Sequence, residues 1–244
     1  MLRQGIREIS ALQKYPIGYR FAEGGVGDRA LRYCRAITAL TEKWGAGNND
    51  LLHEQNAAVV AYAGDQDLTI VLGAAAKDQF KDGYINIWTA VVQVCLKVKG
   101  NDASDGTNTV IHLEEPLLYD VALATFTDLH ENIYNSCASL SGLGVGGPMQ
   151  VVCVPLVPVT INYFFWGLTY GPIIGVAHTG AGLGAANNEK TVYFWPDGSI
   201  ASIADIIADG GTAGQQIAGT MLPRLESAVD TPADDIFYML KLAP

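Results

Sequence analysis

The side chains that could carry chemistry in this sequence are few and widely spaced. The candidate thiolate ligands or nucleophiles are Cys34, Cys95, Cys137 and Cys153. No two of them form a Cys-x-x-Cys pair, and structural zinc sites usually show such paired ligand spacing. Each cysteine has apolar or small neighbours, as buried thiols do. The sequence therefore predicts reduced, buried cysteines and no bound metal, as is typical of a protein made in a cytosol.

The histidines, serines and carboxylates form no catalytic motif. The four histidines, which are His53, His112, His130 and His178, show neither a His-x-x-x-His nor a His-Glu-x-x-His pattern. No Gly-x-Ser-x-Gly elbow precedes a predicted helix, and this elbow is the commonest serine hydrolase signature. Glu114 and Glu115 are neighbours on a predicted strand and point to opposite faces, whereas acid/base catalysis needs two carboxyls across one substrate. We predict no enzyme, although a triad assembled from distant positions stays open because its geometry is spatial.

Two glycine-rich loops raise the question of a nucleotide cofactor. Residues 142–147, GLGVGG, lack the strand before and the helix after that the dinucleotide fingerprint requires. Residues 184–191, GAANNEKT, resemble a phosphate loop, but Glu189 stands where the second glycine is needed. A carboxylate there repels phosphate, whereas backbone N–H groups would bind it. We therefore predict ordinary loop glycines and no cofactor.

The most informative segment is residues 151–172, VVCVPLVPVTINYFFWGLTYGP, which predicts a strand because its prolines forbid a long helix. Alternation sends Tyr163 and Phe165 to one face and Phe164 and Trp166 to the other. Both faces of so bulky a strand must be covered, either by its own domain or by a neighbouring subunit. We favour its own domain and keep these four aromatics as candidate interface residues, because aromatics dominate cores and interfaces alike.

Period-two alternation predicts strands in the middle and at the end of the chain. Strands at 84–88, 92–99 and 107–113 follow the Asp82-Gly83 turn, and the last two are predicted to form a hairpin. A second hairpin is predicted over 191–203 around Asp197-Gly198, followed by a helical turn at 205–209 and a strand at 236–242.

The remaining segments are less regular. Residues 1–14 predict an N-terminal arm or a short helix, and residues 30–44 suit either a helix or a strand. Glycine and small residues predict loops at 45–49, 136–148 and 179–188.

Charge is distributed unevenly along the 244 residues, with a net charge of −10 overall. Residues 1–43 carry eight basic and four acidic side chains, so the rest of the chain carries −14. A basic first segment on an acidic body could dock on an acidic patch of a partner or of its own neighbour. The candidate interface arginines are Arg3, Arg7, Arg20, Arg32 and Arg35.

The overall charge and hydropathy also limit the partners. The acidic balance opposes direct binding to nucleic acid. Apolar stretches are too short to cross a membrane, and the N-terminus lacks the apolar region of a secretory signal.

Composition and pattern together predict a mainly β protein with long loops and little helix, as an antiparallel β-barrel or β-sandwich-like domain with an N-terminal arm. We assign residues 1–44 to the basic arm and first strand region and residues 45–244 to a β-rich body. This body is predicted as one domain, with a subdivision near 120–150 left open.

Three segments in order, 15–36 (YPIGYRFAEGGVGDRALRYCRA), 109–123 (TVIHLEEPLLYDVAL) and 154–174 (VPLVPVTINYFFWGLTYGPII), resemble virion structural proteins of tailed double-stranded DNA bacteriophages. The chain resembles the head decoration, or cement, proteins of that group. The resemblance implies a non-enzymatic protein that binds the major capsid protein outside the head and stabilises capsomer contacts. It also implies a homotrimer located in the virion capsid after synthesis in the bacterial cytoplasm.

Two other functions remain open beside this one. The first is a tail or baseplate structural protein of a phage virion. The second is a carbohydrate-binding β module, with Trp88, Trp166 or Trp195 as exposed platforms for sugars.

Overall fold

The computed structural model describes residues 4–24, 29–48, 52–140, 150–178, 183, 190–208, 215–222 and 236–243. It is mainly β, with 46% strand, 3% helix and two curled antiparallel sheets that form half-barrels. This confirms the predicted fold class. The chain divides into two compact units: unit 1 consists of Met1–Asp50 and Tyr134–Pro244, and unit 2 consists of Leu51–Ile133. Residues 1–44 thus share a unit with the C-terminal part of the chain.

The described strands follow in chain order, with one short helix, α1 (Ile203–Ala208), between β14 and β15. The strands are β1 (Arg20–Ala22), β2 (Ala30–Arg35), β3 (Ala46–Asn48), β4 (Leu52–Asn56), β5 (Asp67–Ile70), β6 (Tyr84–Trp88), β7 (Gln93–Asn101), β8 (Thr109–Leu113), β9 (Phe126–His130), β10 (Cys137–Ser139), β11 (Gln150–Pro155), β12 (Phe164–Gly175), β13 (Thr191–Phe194), β14 (Ile200–Ala201), β15 (Ile217–Met221) and β16 (Ile236–Lys241).

Unit 1 is built on a ten-stranded sheet with β12 at its centre. Its strand order is β10-β3-β11-β12-β16-β15-β13-β14, and β2 pairs with both β1 and β12. β12 is twelve residues long, so β2 and β11 pair with its first half and β16 pairs with its second half. The bulky strand predicted from the aromatic run is therefore the strand that organises this unit.

The two faces of β12 support two hydrophobic clusters, as its alternation predicts. Trp166 is buried in one cluster, against which Phe164 packs. Phe165 is buried in the other, against which Tyr163 packs. Both faces are thus covered within unit 1, which confirms the preference for a strand inside its own domain.

Unit 2 is a six-stranded antiparallel sheet in the order β4-β9-β6-β7-β8-β5. Inward-facing Ile85 and Ile87 of β6 are buried while their neighbours point outward, as the alternation of residues 84–88 predicts. The edge strands meet where Ala57, just after β4, forms an isolated bridge with Ile70 of β5. This bridge draws the two edges of the curled sheet together around one apolar core.

Several local predictions are confirmed. The strands at 84–88, 92–99 and 107–113 correspond to β6, β7 and β8, and β7 and β8 pair as a hairpin. β13 and β14 form the second hairpin, α1 is the predicted helical turn, and β16 is the last strand. Residues 30–44 begin with a strand, which settles the choice that the sequence left open.

The short helix considered for residues 1–14 is wrong for the described part, residues 4–14, which contain only turns and a bridge from Ser10 to Phe164. The Gln4 side chain donates to the Phe164 carbonyl, so contacts with β12 replace helical hydrogen bonds. A short isolated helix is marginal in water, and these long-range contacts decide the conformation.

Two predicted loops contain strands instead. Residues 46–48 form β3, which lies between β10 and β11, and residues 137–139 form β10. Glycine marks close backbone approach here, because a Cβ at Gly47 would lie 3.0 Å from the Gln150 carbonyl oxygen. Residues 141–148 of the second loop and most of the loop at 179–188 lie outside the described residues.

No helix in the described part of the chain is long and apolar enough to cross a lipid bilayer.

Candidate functional site

Exposed apolar side chains concentrate in unit 2. Thirteen of the twenty large hydrophobic side chains that are exposed in the described residues belong to this unit, although it is the smaller of the two. Ten of them lie in the segments that border one end of the sheet, which we call the apolar end. They are Val59, Val60, Tyr62, Trp88, Val91, Val92, Leu118, Tyr119, Leu123 and Phe126.

The pairing register places the apolar end at one edge of the strands. Trp88, the last residue of β6, pairs with Gln93 at the start of β7. Phe126, the first residue of β9, pairs with Asn56, the last residue of β4. Because β6 and β9 are antiparallel neighbours, the end of one lies beside the start of the other. The terminal side chains of β4, β6, β7 and β9 therefore lie at the same end of the sheet.

An ordered aromatic pair lies within the apolar end. The ring of Trp88 contacts that of Phe126 edge to face, with centroids 6.3 Å apart. The indole Nε1–H of Trp88 donates to Asp128 Oδ2 at 2.8 Å. The hydrogen bond holds the indole while much of its ring stays exposed, so the pair offers a fixed apolar surface with its polar edge already satisfied.

The connecting segments that complete the apolar end are held by backbone hydrogen bonds. The segment after β4 and the segment before β9 form a bridge in which Ala61 and Val121 each donate to the other's carbonyl. The N–H of Tyr62 donates to Asp65 Oδ2 at 2.8 Å. These bonds satisfy the backbone of the loops while their apolar side chains stay exposed.

Unit 2 is strongly acidic. It carries four basic and twelve acidic side chains, a formal charge of −8 out of −10 for the whole chain. The apolar end is therefore the apolar part of an acidic unit.

Two of the four predicted interface aromatics do not form a surface. Phe165 and Trp166 are buried in the core of unit 1, whereas Tyr163 and Phe164 are half-buried. The idea of Trp166 as a sugar platform is wrong for the same reason, because a buried ring cannot stack on a ligand. Trp195 stacks on His178 with ring centroids 4.2 Å apart.

The predicted arginines do not form one patch. Arg7 and Arg20 are exposed, and Arg3 lies outside the described residues. Arg32 Nη1 donates to the Gly18 carbonyl at 3.2 Å. Arg35 Nη2 donates to Asn162 Oδ1 at 3.3 Å. Within the described residues, Arg7 and Arg20 are thus the predicted arginines best placed to reach a partner.

A serine, a histidine and an aspartate meet near the β13–β14 hairpin. Ser199 Oγ lies 3.4 Å from His178 Nδ1 and donates to Asp197 Oδ1 at 2.5 Å. Asp197 Oδ2 lies 3.7 Å from the same Nδ1. A catalytic triad needs serine and aspartate on opposite ring nitrogens, so this arrangement lacks triad geometry. The bonds instead close the hairpin turn, since Ser199 N–H also donates to Asp197.

His112 lies between two carboxylates in unit 2. Its Nδ1 is 2.7 Å from Asp67 Oδ1, its cross-strand partner, and its Nε2 is 3.4 Å from Asp102 Oδ1. The hydrogen bond with Asp67, reinforced by Asp102, raises the pKa of His112. Asp67 and His112 border an open cavity of about 310 Å³. The pair is explained by cross-strand attraction between β5 and β8.

Three of the four cysteines form the cluster that could hold a metal. The Sγ atoms of Cys34, Cys137 and Cys153 all lie within 4.8 Å of one another. Their sequence spacing gives no sign of this, because the cluster depends on pairing between distant strands. The prediction of buried cysteines is confirmed for these three and is wrong for Cys95, which is exposed in unit 2.

Comparison with protein-family models gives no match for this chain, and comparison with curated proteins and with solved structures gives none either.

Proposed function

We propose that this chain is a non-enzymatic decoration protein of a phage head, which binds the major capsid protein from outside and stabilises contacts between capsomers. The observation that carries the proposal is the apolar end of unit 2. Exposed apolar side chains concentrated at one end of a folded unit mark a site of protein–protein attachment. The motif resemblance of residues 15–36, 109–123 and 154–174 supplies the virion context.

The apolar end has the composition of a binding surface. Trp88, Tyr62 and Tyr119 supply the aromatic anchors that commonly dominate interface energetics. The acidic side chains of unit 2 suit a capsid surface with basic residues around an apolar site. Such a contact associates more slowly and binds more weakly as salt screens the charged rim.

A homotrimer would bind the capsid through three copies of the apolar end. Each copy would present one apolar end, and three linked ends bind a multivalent shell far more tightly than one. The exposed Arg7 and Arg20 of one copy could face the acidic unit 2 of the next, which would close the ring by rotational symmetry.

Binding to bare heads tests this proposal. We expect the purified chain to bind capsids that lack it and to raise their resistance to heat. Leu118→Asp should weaken binding by at least ~30-fold, because a carboxylate would be buried in the apolar contact. Leu118 is 64% exposed, so the substitution should leave folding intact. Co-sedimentation over a salt series measures binding to the capsids, and capsid melting curves measure their resistance to heat.

The control variant is Ile207→Asp, which places the same charge on an exposed apolar position, 56% exposed, in unit 1. It should bind like the wild type. If the wild type neither binds nor stabilises bare heads, the decoration function is wrong. If Leu118→Asp binds normally, the apolar end is not the contact. If an antibody against this chain labels the tail in electron micrographs, the protein is a tail or baseplate protein and not a head protein.

A carbohydrate-binding module is the second candidate, and the Trp88–Phe126 pair favours it. An exposed indole fixed by a hydrogen bond to Asp128 is a suitable platform for a sugar ring. In that case a glycan array should yield a ligand that quenches tryptophan fluorescence, and Trp88→Ala should abolish the quenching. If the wild type binds no glycan on the array, the carbohydrate-binding function is wrong.

A further inference from the structure

Three strands of unit 1 bring three cysteine sulfurs together. Cys34 lies on β2, Cys137 on β10 and Cys153 on β11. Cys153 Sγ is 3.9 Å from Cys34 Sγ and 3.9 Å from Cys137 Sγ. All three side chains are completely buried. The sulfurs thus form an enclosed triangle in which Cys34 is more than a hundred residues from the other two cysteines, and Cys137 and Cys153 are 16 residues apart.

Glycine on the central strand makes room for this triangle. A Cβ at Gly167 of β12 would lie 2.6 Å from both Cβ and Sγ of Cys153 and 3.2 Å from Cys34 Sγ. No side chain larger than hydrogen fits between these sulfurs and β12. The fold therefore keeps the sulfur atoms close to a backbone with no intervening methyl group.

The thiols also contact backbone carbonyls. Cys34 Sγ lies 3.2 Å from the Arg32 carbonyl oxygen, and Cys137 Sγ lies 3.6 Å from that of Tyr134. Thiols lose their protons when they bind a metal, so a bound cation would replace the protons of these cysteines.

We propose that Cys34, Cys137 and Cys153 form a three-sulfur site for a soft, thiophilic metal ion with a filled d shell, of the Zn²⁺ or Cu⁺ class. With metal–sulfur bonds of ~2.3 Å, neighbouring sulfurs lie ~3.8 Å apart around a tetrahedral ion and ~4.0 Å apart around a trigonal one. The two observed edges of 3.9 Å fit both geometries. The third edge is within 4.8 Å, so closing it requires less than ~1 Å of movement.

Two physical terms distinguish the candidate ions. Three thiolates leave a net charge of −1 with Zn²⁺ and −2 with Cu⁺, and the cost of buried charge favours Zn²⁺. Structural zinc sites almost always use four ligands, whereas among the described residues this cluster contains only three metal-ligating side chains. The low coordination number favours Cu⁺. Both ions prefer thiolate ligands, so the proposal of a three-sulfur metal site holds whether buried charge or coordination number decides between them.

Burial couples metal loading to folding. With no exposed sulfur, the ion must enter while β2, β10 and β11 assemble, and its binding energy then contributes to the stability of unit 1. The site is built from strands with long-range pairing, so metal added to the folded protein should bind slowly while metal present during refolding should bind at once.

The test is to refold the full chain under reducing conditions with Co²⁺, Zn²⁺ or Cu⁺, or with a chelator. Co²⁺ serves as the spectroscopic probe for Zn²⁺ and should give a sulfur-to-cobalt charge-transfer band at one ion per chain. Metal analysis after gel filtration should give the same stoichiometry for Zn²⁺ or for Cu⁺. A loaded protein should melt ~5–10 °C higher than the chelator-treated one when the free ion is ~100 times its dissociation constant.

The matched variants are Cys153→Ser, which removes the sulfur nearest to both others, and Cys95→Ser, which removes the exposed cysteine of unit 2. Cys153→Ser should abolish the cobalt band, whereas Cys95→Ser should retain it. Should Cys153→Ser fail to fold, the wild type alone decides. Substoichiometric metal from every refolding arm, with equal melting temperatures, overturns the proposal. Retention of the band in a folded Cys153→Ser protein overturns it as well.

Discussion

Replacement of Trp166 by alanine is expected to lower the free energy of unfolding by ~3–5 kcal/mol, the range for deleting a large buried aromatic side chain. Trp166 is 1% exposed at the centre of unit 1. Its ring lies 5.1 Å from those of Tyr15 and Tyr33 and 5.8 Å from that of Phe21, measured between centroids. Its Nε1–H donates to the Gln4 carbonyl at 3.2 Å. The substitution removes contacts from β12 to β1, β2 and the N-terminal segment at once.

The matched control is Trp88→Ala, because Trp88 is 44% exposed at the apolar end of unit 2. Trp88→Ala removes less buried surface than Trp166→Ala and should lower the free energy of unfolding much less. Urea unfolding followed by far-ultraviolet circular dichroism measures both without depending on tryptophan fluorescence. Equal losses of stability in the two variants would contradict the central position of Trp166 in the core.

The sequence predicts unit 2 better than unit 1, because unit 2 contains strands with one buried and one exposed face. In β6, β7 and β8 the alternation of apolar and polar residues follows the burial directly. Turn residues such as Asp82-Gly83 fix where these strands begin. The fold class and the hairpins could therefore be predicted from period and turn chemistry alone.

The short inner strands of unit 1 could not be predicted in this way. β3 has the sequence Ala-Gly-Asn and β10 the sequence Cys-Ala-Ser, which locally resemble loops. They are strands because each finds hydrogen-bond partners far away in the sequence. Tertiary pairing decides their conformation, and single-sequence propensity carries no information about it.

The candidate sites show the same limit. Each segment of the apolar end contains only a few apolar residues, and Cys34 is more than a hundred residues from Cys137 and Cys153. The strand order brings the members of each site together. The order β4-β9-β6-β7 forms the apolar end in unit 2, and the order β10-β3-β11-β12 forms the cysteine cluster in unit 1. The alternation of the aromatic run at 163–166 was predictable, but its burial made two of its side chains core residues.

Gly219 lies at a close approach of two strands. It is on β15 and pairs with Val192 of β13 and Leu240 of β16, so backbone surrounds it on both sides. A Cβ at this position would overlap the carbonyl oxygen of Met239. Because the overlapping atom belongs to a paired backbone, no rotation of a side chain can relieve it, and β15 and β16 must separate locally.

Gly219→Ala is therefore expected to destabilise the protein by about 3 kcal/mol, at the upper end of the usual cost of overpacking. The control is Gly24→Ala, since a Cβ at Gly24 meets no atom within 4 Å. That change should stay within ~0.5 kcal/mol of the wild type, as surface substitutions usually do. Chemical denaturation of the two variants provides the comparison. A Gly219→Ala protein as stable as Gly24→Ala would mean that β15 and β16 do not pair in the observed register.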